Sequence, residues 1–260
     1  MNGFRPRKAV KTTAVLCIAL LSFVASCDGD GDSSEREFRA QRTSELFSFI
    51  PAGDYISLGY GDIDALMQSD WAQQIIELIP AVQLWDEKLG ISVDSFHNIA
   101  MAFLPPSEED PTSEEGLILM NSELTADDIM AMLGEKSHFF TKKKVDGRIL
   151  YRSGEEFGFG FVSDTVVALG TPAIVEKALL LANGKGDSIL KSKSLNRYKE
   201  YFGSADNFWV GFNGIDKYME KAASQVTMLR NFTHIEFIYF GMNAGEDIAS
   251  RMILECDEEE

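Results

Sequence analysis

The sequence predicts an α+β protein: a largely antiparallel sheet with helices on one face. Three observations carry that prediction. Two hairpin signals, Asp146-Gly147 and Ser163-Asp164, each separate runs of strand-forming residues. Three apolar-periodic stretches begin at helix-start chemistry, at Asp62, at Thr125 to Asp128 and at Thr171-Pro172. The segment order, strand, helices, strand, strand, helix, strand, is that of a ferredoxin-like split βαβ unit, here extended by a β-meander.

In chain order, Asp28 to Glu35 is polar, with alternating aspartates and glycines, and reads as a flexible acidic tether. It is not a calcium loop, because Ser33 holds the glycine position and Arg39 the bidentate acid position. Folded structure is expected from Glu45. Tyr55 to Tyr60 reads as a strand. Asp62 caps a helix whose apolar face is Ile63, Leu66, Met67, Trp71, Ile75 and Leu78. Pro80 interrupts it, and a second helix from Ala81 to Leu89 stops at Gly90. Ile99 to Leu104 and Leu117 to Met120 are apolar strands on either side of an acidic loop, Ser107 to Glu115. Thr125 and Asp128 form a capping box for a helix carrying Ile129, Met132 and Leu133, which Gly134 ends. Phe139 to Val145 and Arg148 to Arg152 make the first hairpin; Phe157 to Val162 and Thr165 to Leu169 make the second. Pro172 then opens a helix over Ile174, Val175, Ala178, Leu179 and Leu181, closed by Asn183-Gly184.

The first strand-turn-helix recurs 152 positions later. Asp54, Gly59, Ile63, Asp64 and Met67 meet Asp206, Gly211, Ile215, Asp216 and Met219. With a shorter offset, Phe96 to Ile99 meets Phe232 to Ile235, and Leu117 to Leu119 meets Met252 to Leu254. The pattern reads as a partial internal repeat. Either its last three strands complete a sheet with the first copy, or the chain is a shortened form of a longer protein. The expected division is 1–26 as export signal, 27–44 as anchor and tether, 45–203 as a first α+β unit, and 204–260 as a partial second copy packed on the first.

The N-terminus is the most specific stretch. Arg5, Arg7, Lys8 and Lys11 precede an apolar run from Thr12 to Ser26, and no acid occurs among the first 26 residues. The run is shorter than the ~20 residues a membrane span needs. A secretory signal, cut after a small-x-small pattern that Ala25 helps to supply, is the rival reading. Val24-Ala25-Ser26-Cys27 resembles the lipobox of bacterial lipoproteins at every position. That resemblance implies a lipid on Cys27, cleavage before it, and a chain held on the periplasmic side of the cell envelope. Asp28 matches the enterobacterial position for inner-membrane retention. Pro51-Ala52-Gly53-Asp54 also resembles an early turn found in a class of repeat-containing α+β envelope proteins of unknown function, which implies no activity.

Bulk composition narrows the function classes. The chain holds 24 basic and 41 acidic residues. Without the signal's four basic residues, 20 basic face 41 acidic, a net charge of −21. Nucleic acid and anionic lipid are therefore excluded as electrostatic partners. Cys17 lies in the signal and Cys27 would carry the lipid that the resemblance implies, so Cys256 alone remains and no intrachain disulfide framework is expected. His97, His138 and His234 lack metal-ligand spacing, and His97 and His234 each sit just before a strand, as turn residues do. There is no Gly-x-Ser-x-Gly elbow, and Asn183-Gly184-Lys185-Gly186 follows a helix where a phosphate loop would precede one. No cofactor, metal or catalytic group is expected.

Two features remain as candidate partner or ligand surface. Lys142 and Lys144 belong to the one basic cluster of the acidic mature chain, and a lysine-guarded sheet edge is the plainer account of them. Phe157, Phe159 and Phe161 alternate with Gly158 and Gly160, which puts three rings on one sheet face, either under a helix or open to a ligand or apolar peptide. The expected function is a non-catalytic, membrane-anchored envelope lipoprotein that binds a protein partner or serves assembly. The alternative is a lipoprotein that binds lipid or a small apolar ligand, for which 10 Met and 18 Phe supply adaptable apolar surface. Replacing the lipobox cysteine, Cys27→Ser, is expected to abolish incorporation of radiolabelled palmitate and to move the chain out of the membrane fraction. Labelling equal to that of the parent chain would contradict the anchor.

Overall fold

A computed structural model of the chain describes residues 33–70, 95–105, 115–202, 204, 206–214, 234–244 and 248–256. Cys27 and Asp28, the helix positions Trp71, Ile75 and Leu78, the helix expected at Ala81 to Leu89, most of the acidic loop, and Ile215 to Met219 lie outside the described residues.

Among the described residues ten strands form one sheet. They are β1 (Ser57–Asp62), β2 (Phe96–Phe103), β3 (Gly116–Ser122), β4 (Thr141–Val145), β5 (Arg148–Ser153), β6 (Phe157–Phe161), β7 (Val166–Gly170), β8 (Phe208–Asn213), β9 (Ile235–Ala244) and β10 (Ile248–Cys256). The spatial order is β10-β9-β8-β1-β2-β3-β7-β6-β5-β4. Every neighbouring pair is antiparallel. The helices are α1 (Ser33–Phe47), α2 (Ile63–Leu66), α3 (Ala126–Leu133), α4 (Pro172–Ala182) and α5 (Asn196–Lys199).

Local chemistry explains most of these elements. Asp146 and Gly147 both have positive φ, 49° and 93°, as a two-residue type I′ hairpin requires, and β4 meets β5 across them. The Ala65 N–H donates to Asp62 Oδ1 at 3.1 Å, which starts α2. At α3 the capping box is complete. The Asp128 N–H donates to Thr125 Oγ1 at 3.2 Å, and the Thr125 N–H donates to Asp128 Oδ2 at 2.8 Å. The Thr125 hydroxyl, which donates to Asp128 Oδ2 at 2.6 Å, and then the Thr125 N–H hold the Asp128 carboxyl below the usual carboxylate range. Pro172 occupies the first turn of α4, but the Thr171 hydroxyl makes no cap bond and is buried without a partner.

The α+β class, the antiparallel sheet and the meander follow the sequence expectation, and three details differ. A split βαβ would make β1 and β2 parallel, with β3 inserted between them. Here β2 lies directly beside β1 and antiparallel to it, and β8 takes the other side of β1. The connection alone cannot distinguish these, because a helical crossover and a helical excursion back to the neighbouring position have the same segment order. Second, residues 33–44 of the expected tether belong to α1. Its buried positions Thr43, Leu46 and Phe47, with half-buried Ala40, form an i, i+3, i+6, i+7 stripe that the surrounding polar residues mask. Third, helices occupy both faces of the sheet.

The faces separate cleanly. On one, Leu58, Ala100, Leu119, Leu150, Ala168, Trp209 and Phe237 pack with α1 through Leu46 and Phe47, with α4 through Ile174, Val175 and Leu179, and with Tyr198 of α5. On the other, Phe96, Met120, Tyr151, Phe159 and Val167 pack with Ile129 and Leu133 of α3. Glycine sets the spacing of α4. A Cβ on Gly160 would lie 2.9 Å from the Ile149 carbonyl oxygen and 3.1 Å from Leu179, so the glycines of β6 face α4 and its phenylalanines face away.

β8, β9 and β10 continue the sheet beyond β1. Leu58 pairs with Gly211 and Gly59 with Val210, so the β1/β8 register is centred between the two copies of the repeated motif. No described helix is long and apolar enough to cross a membrane.

Burial ranks the strands' side chains. Leu119→Ala, at a fully buried position between sheet and helix, is expected to lower the unfolding free energy by about 2–5 kcal/mol. Leu254→Ala, at an exposed position on β10, is expected to change it by about 0.5 kcal/mol or less. Urea titration followed by tryptophan fluorescence measures both, and equal losses would refute the assigned faces.

Candidate interaction surface

The sequence singled out Lys142, Lys144, Phe157, Phe159 and Phe161, and the meander brings them together. β4 ends the sheet, so its lysines stand on an edge. Register places Lys142 opposite Tyr151, and Tyr151 opposite Phe159. The result is a row across three strands. Lys142 Nζ lies 5.2 Å from the Tyr151 ring centroid, and the Tyr151 and Phe159 rings stack at 4.7 Å with planes 4° apart. Phe140 closes on Phe159 edge-on at 5.5 Å and on Phe157 at 6.2 Å.

The three rings of β6 share a face but not an environment. Phe159 is buried, Phe161 is half-buried, and Phe157 is 38% exposed. Beside them Phe139 is 62% exposed, at the end of the 3₁₀ turn that follows α3. Ile149, on the same face of β5, and Met132 of α3 are also exposed. The surface is therefore apolar and aromatic with a cationic rim. Lys144 is exposed on that rim. Lys143 points to the opposite face, where its Nζ meets Glu176 of α4 at 2.6 Å.

The histidines do not converge. His97 Nδ1 lies 3.0 Å from Asp64 Oδ1 at an exposed position on β2, and the His138 ring lies 4.0 Å from that of Phe139. Among the described residues no three His, Cys, Asp or Glu side chains gather as metal ligands. Cys256 is free and exposed.

One cluster escaped the sequence reading. Asp206 is buried just before β8. Its Oδ2 accepts from the Tyr239 hydroxyl at 2.6 Å and from Arg251 Nε at 2.9 Å, and it forms an ion pair with Arg251 Nη2 at 2.8 Å. The carboxylate sits directly over Gly241, where an added Cβ would lie 2.3 Å from that oxygen. Burial, with the Asp206 charge beside it, pushes the Tyr239 phenol well above its ordinary range. Tyr201 stacks on Tyr239 at 3.8 Å. The group links the entry of β8 to β9 and β10. No local motif announces it, because 33 and 45 positions separate Asp206 from its partners. Asp206 was visible only as the counterpart of Asp54, and Asp54 is exposed.

The fold and surface define an α+β protein built on one wide antiparallel sheet with an apolar patch beside a basic edge. No family model matches the chain, and none of the curated proteins matches it. It is similar in structure to TP0453 of Treponema in two crystal forms. Form I has 12% sequence identity and a TM-score of 0.53, with 83% of this chain and 80% of that chain covered. Form III has 11% identity and a TM-score of 0.56, with 83% and 81% covered. At that identity the likeness is one of fold.

The Asp206 cluster has a measurable weight. Asp206→Ala removes the acceptor of two partly buried donors and is expected to cost roughly 1–3 kcal/mol in urea unfolding. Combined with Tyr239→Phe, the loss should fall short of the summed single losses by about 0.5–3 kcal/mol. Simple additivity would show that the contact carries no coupling.

Proposed function

We propose that this chain is a non-catalytic lipoprotein of the bacterial envelope, held to the membrane by a lipid on Cys27, and that it binds a protein partner through the aromatic face of β4, β5 and β6. The observation that carries the reading is the exposed apolar set, Phe139, Phe157, Ile149 and Met132, lying beside the Lys142–Tyr151–Phe159 row. Exposed aromatic groups at a polar rim are the usual core of a protein interface. The lipobox supports the anchor. The absence of a catalytic motif in the sequence motivates the non-catalytic part. Periplasmic placement follows from the signal, and Asp28 favours the inner membrane.

A partial duplication of the chain belongs to the same reading, and strand register supports it. Leu58 pairs with Ala102 on β2, and its counterpart Val210 pairs with Phe240 on β9, an offset of 138. Ala102 pairs with Leu117 on β3, and Phe240 pairs with Met252 on β10, an offset of 135. The second offset is the one read from the sequence. The first differs by two residues from the 136 of the Ile99–Ile235 match, which preserves the face each side chain occupies.

Crosslinking in intact cells with the lipidated chain tests the surface. The parent chain should capture a discrete partner, and Phe139→Ser with Phe157→Ser should lose at least tenfold of that capture while keeping the far-ultraviolet circular dichroism spectrum. Undiminished capture overturns this surface. A lipid or small apolar ligand co-purifying stoichiometrically in native mass spectrometry would favour the ligand-binding alternative.

A further inference from the structure

The sheet has two outer edges, and they are protected differently. β4 is five residues long and presents Lys142, Lys143 and Lys144, the charge that keeps an edge from pairing with another chain. β10 is nine residues long and contains neither lysine nor proline. Its two charged side chains turn back onto the fold: Arg251 Nε and Nη2 bind Asp206, and Glu255 lies 3.6 Å from Arg197. On the opposite face Met252 is 51% exposed and Leu254 is 42% exposed.

The topology shows what such an edge takes. Across the β1/β8 pair, β10 stands where β3 stands on the other side. The outer edge of β3 is covered by β7, antiparallel, from Leu117 opposite Gly170 to Asn121 opposite Val166. The outer edge of β10 has no strand beside it among the described residues.

We propose that β10 pairs, antiparallel, with β10 of a second copy of this chain, about a two-fold axis at Ile253. The side chains select that register. With Ile253 opposite the partner's Ile253, Arg251 stands opposite the partner's Glu255, and Glu255 stands opposite the partner's Arg251. On the other face Met252 meets the partner's Leu254, and Leu254 meets the partner's Met252. Opposite charges and apolar pairs placed directly across an antiparallel ladder both stabilise it. Centring the axis on Met252 instead would set Arg251 against an isoleucine, Glu255 against Ala249 and Leu254 against Ser250, so neither the charged nor the apolar side chains gain a matching neighbour across the ladder, although Arg251 and Glu255 keep their own partners Asp206 and Arg197. The contact is isologous, closes after two copies and joins the two sheets into one. It also keeps the sulfurs apart. Each Cys256 faces the partner's Ser250, and the two Cys256 residues lie about 20 Å apart along the ladder, too far for a disulfide.

Crosslinking and sedimentation of the full chain test this. Ile253→Cys in a Cys256→Ser background should give a disulfide-linked dimer on mild oxidation, and the Cys256→Ser control should not. The parent chain should sediment as a concentration-dependent dimer that does not oxidise through Cys256. Met252→Lys with Leu254→Lys, which gives β10 the guard that β4 carries, should weaken dimerisation at least tenfold with an unchanged circular dichroism spectrum. A parent chain that stays monomeric at 100-fold the concentration used for the crosslink, or an Ile253→Cys variant that fails to crosslink while folded, overturns the proposal. So does a dimer linked through Cys256, which needs another register, or capture by Ile253→Cys of a different protein's strand.

Discussion

Pairing of β1 with β8 is the contact on which the architecture rests. It joins segments some 150 positions apart at the middle of a ten-stranded sheet. Without it the chain would be two smaller sheets, each with an additional exposed edge. β1 is buried along its whole length, as a central strand covered on both faces should be. Its two glycines admit the neighbours: a Cβ on Gly59 would lie 3.0 Å from the Trp209 carbonyl oxygen, and one on Gly61 would lie 3.0 Å from Ile99 and 3.3 Å from Phe208. Tyr60 sits opposite Trp209, and the Tyr60 hydroxyl reaches Asn98 of β2 at 2.5 Å, which ties three strands by one side chain. Such long-range closure is entropically costly before its contacts form, so the apolar and aromatic groups gathered over the seam must offset it.

Those groups are concentrated on one face. Phe47 of α1 meets Phe202 at 4.8 Å and Trp209 at 5.9 Å, and Tyr239 extends the stack from β9. α1 therefore acts as a clamp over the seam rather than as part of a linker. Its tie to the rest of the chain is also polar, since the Ser188 hydroxyl donates to the Phe47 carbonyl at 3.1 Å. The opposite face is covered by less helix among the described residues, and its apolar side chains reach solvent at Phe157 and Ile149 near one edge and at Met252 and Leu254 near the other. Among the described residues the sheet's exposed large apolar side chains all lie on that second face.

Electrostatics is used sparingly and locally. Asp146 in the β4–β5 turn is held by Lys185 Nζ at 2.6 Å, and the amide of Asn183 donates to the Asp146 carbonyl at 2.7 Å. These bonds pin the hairpin tip to the end of α4 and keep the Asp146 carboxyl below its usual range. Exposed pairs of that kind add little to stability but fix geometry. The buried Asp206 cluster differs: its carboxylate occupies space that only a glycine at 241 leaves open.

Signals confined to a few neighbouring residues were legible in the sequence alone. Asp146-Gly147 turns because only such residues accept positive φ at both positions, and Thr125 with Asp128 caps α3 because both partners lie within one turn of helix. The shared face of Phe157, Phe159 and Phe161 followed from strand geometry, and the α+β class followed from these elements together. What the sequence left open was every decision that depends on distant partners. Which strands pair, that β1 takes β8 rather than β3, that α1 clamps the core with a polar-looking segment, and that Asp206 meets Tyr239 and Arg251 are outcomes of packing between residues far apart in the chain. Their energies arise only once the sheet has closed, so the tertiary structure alone decided them.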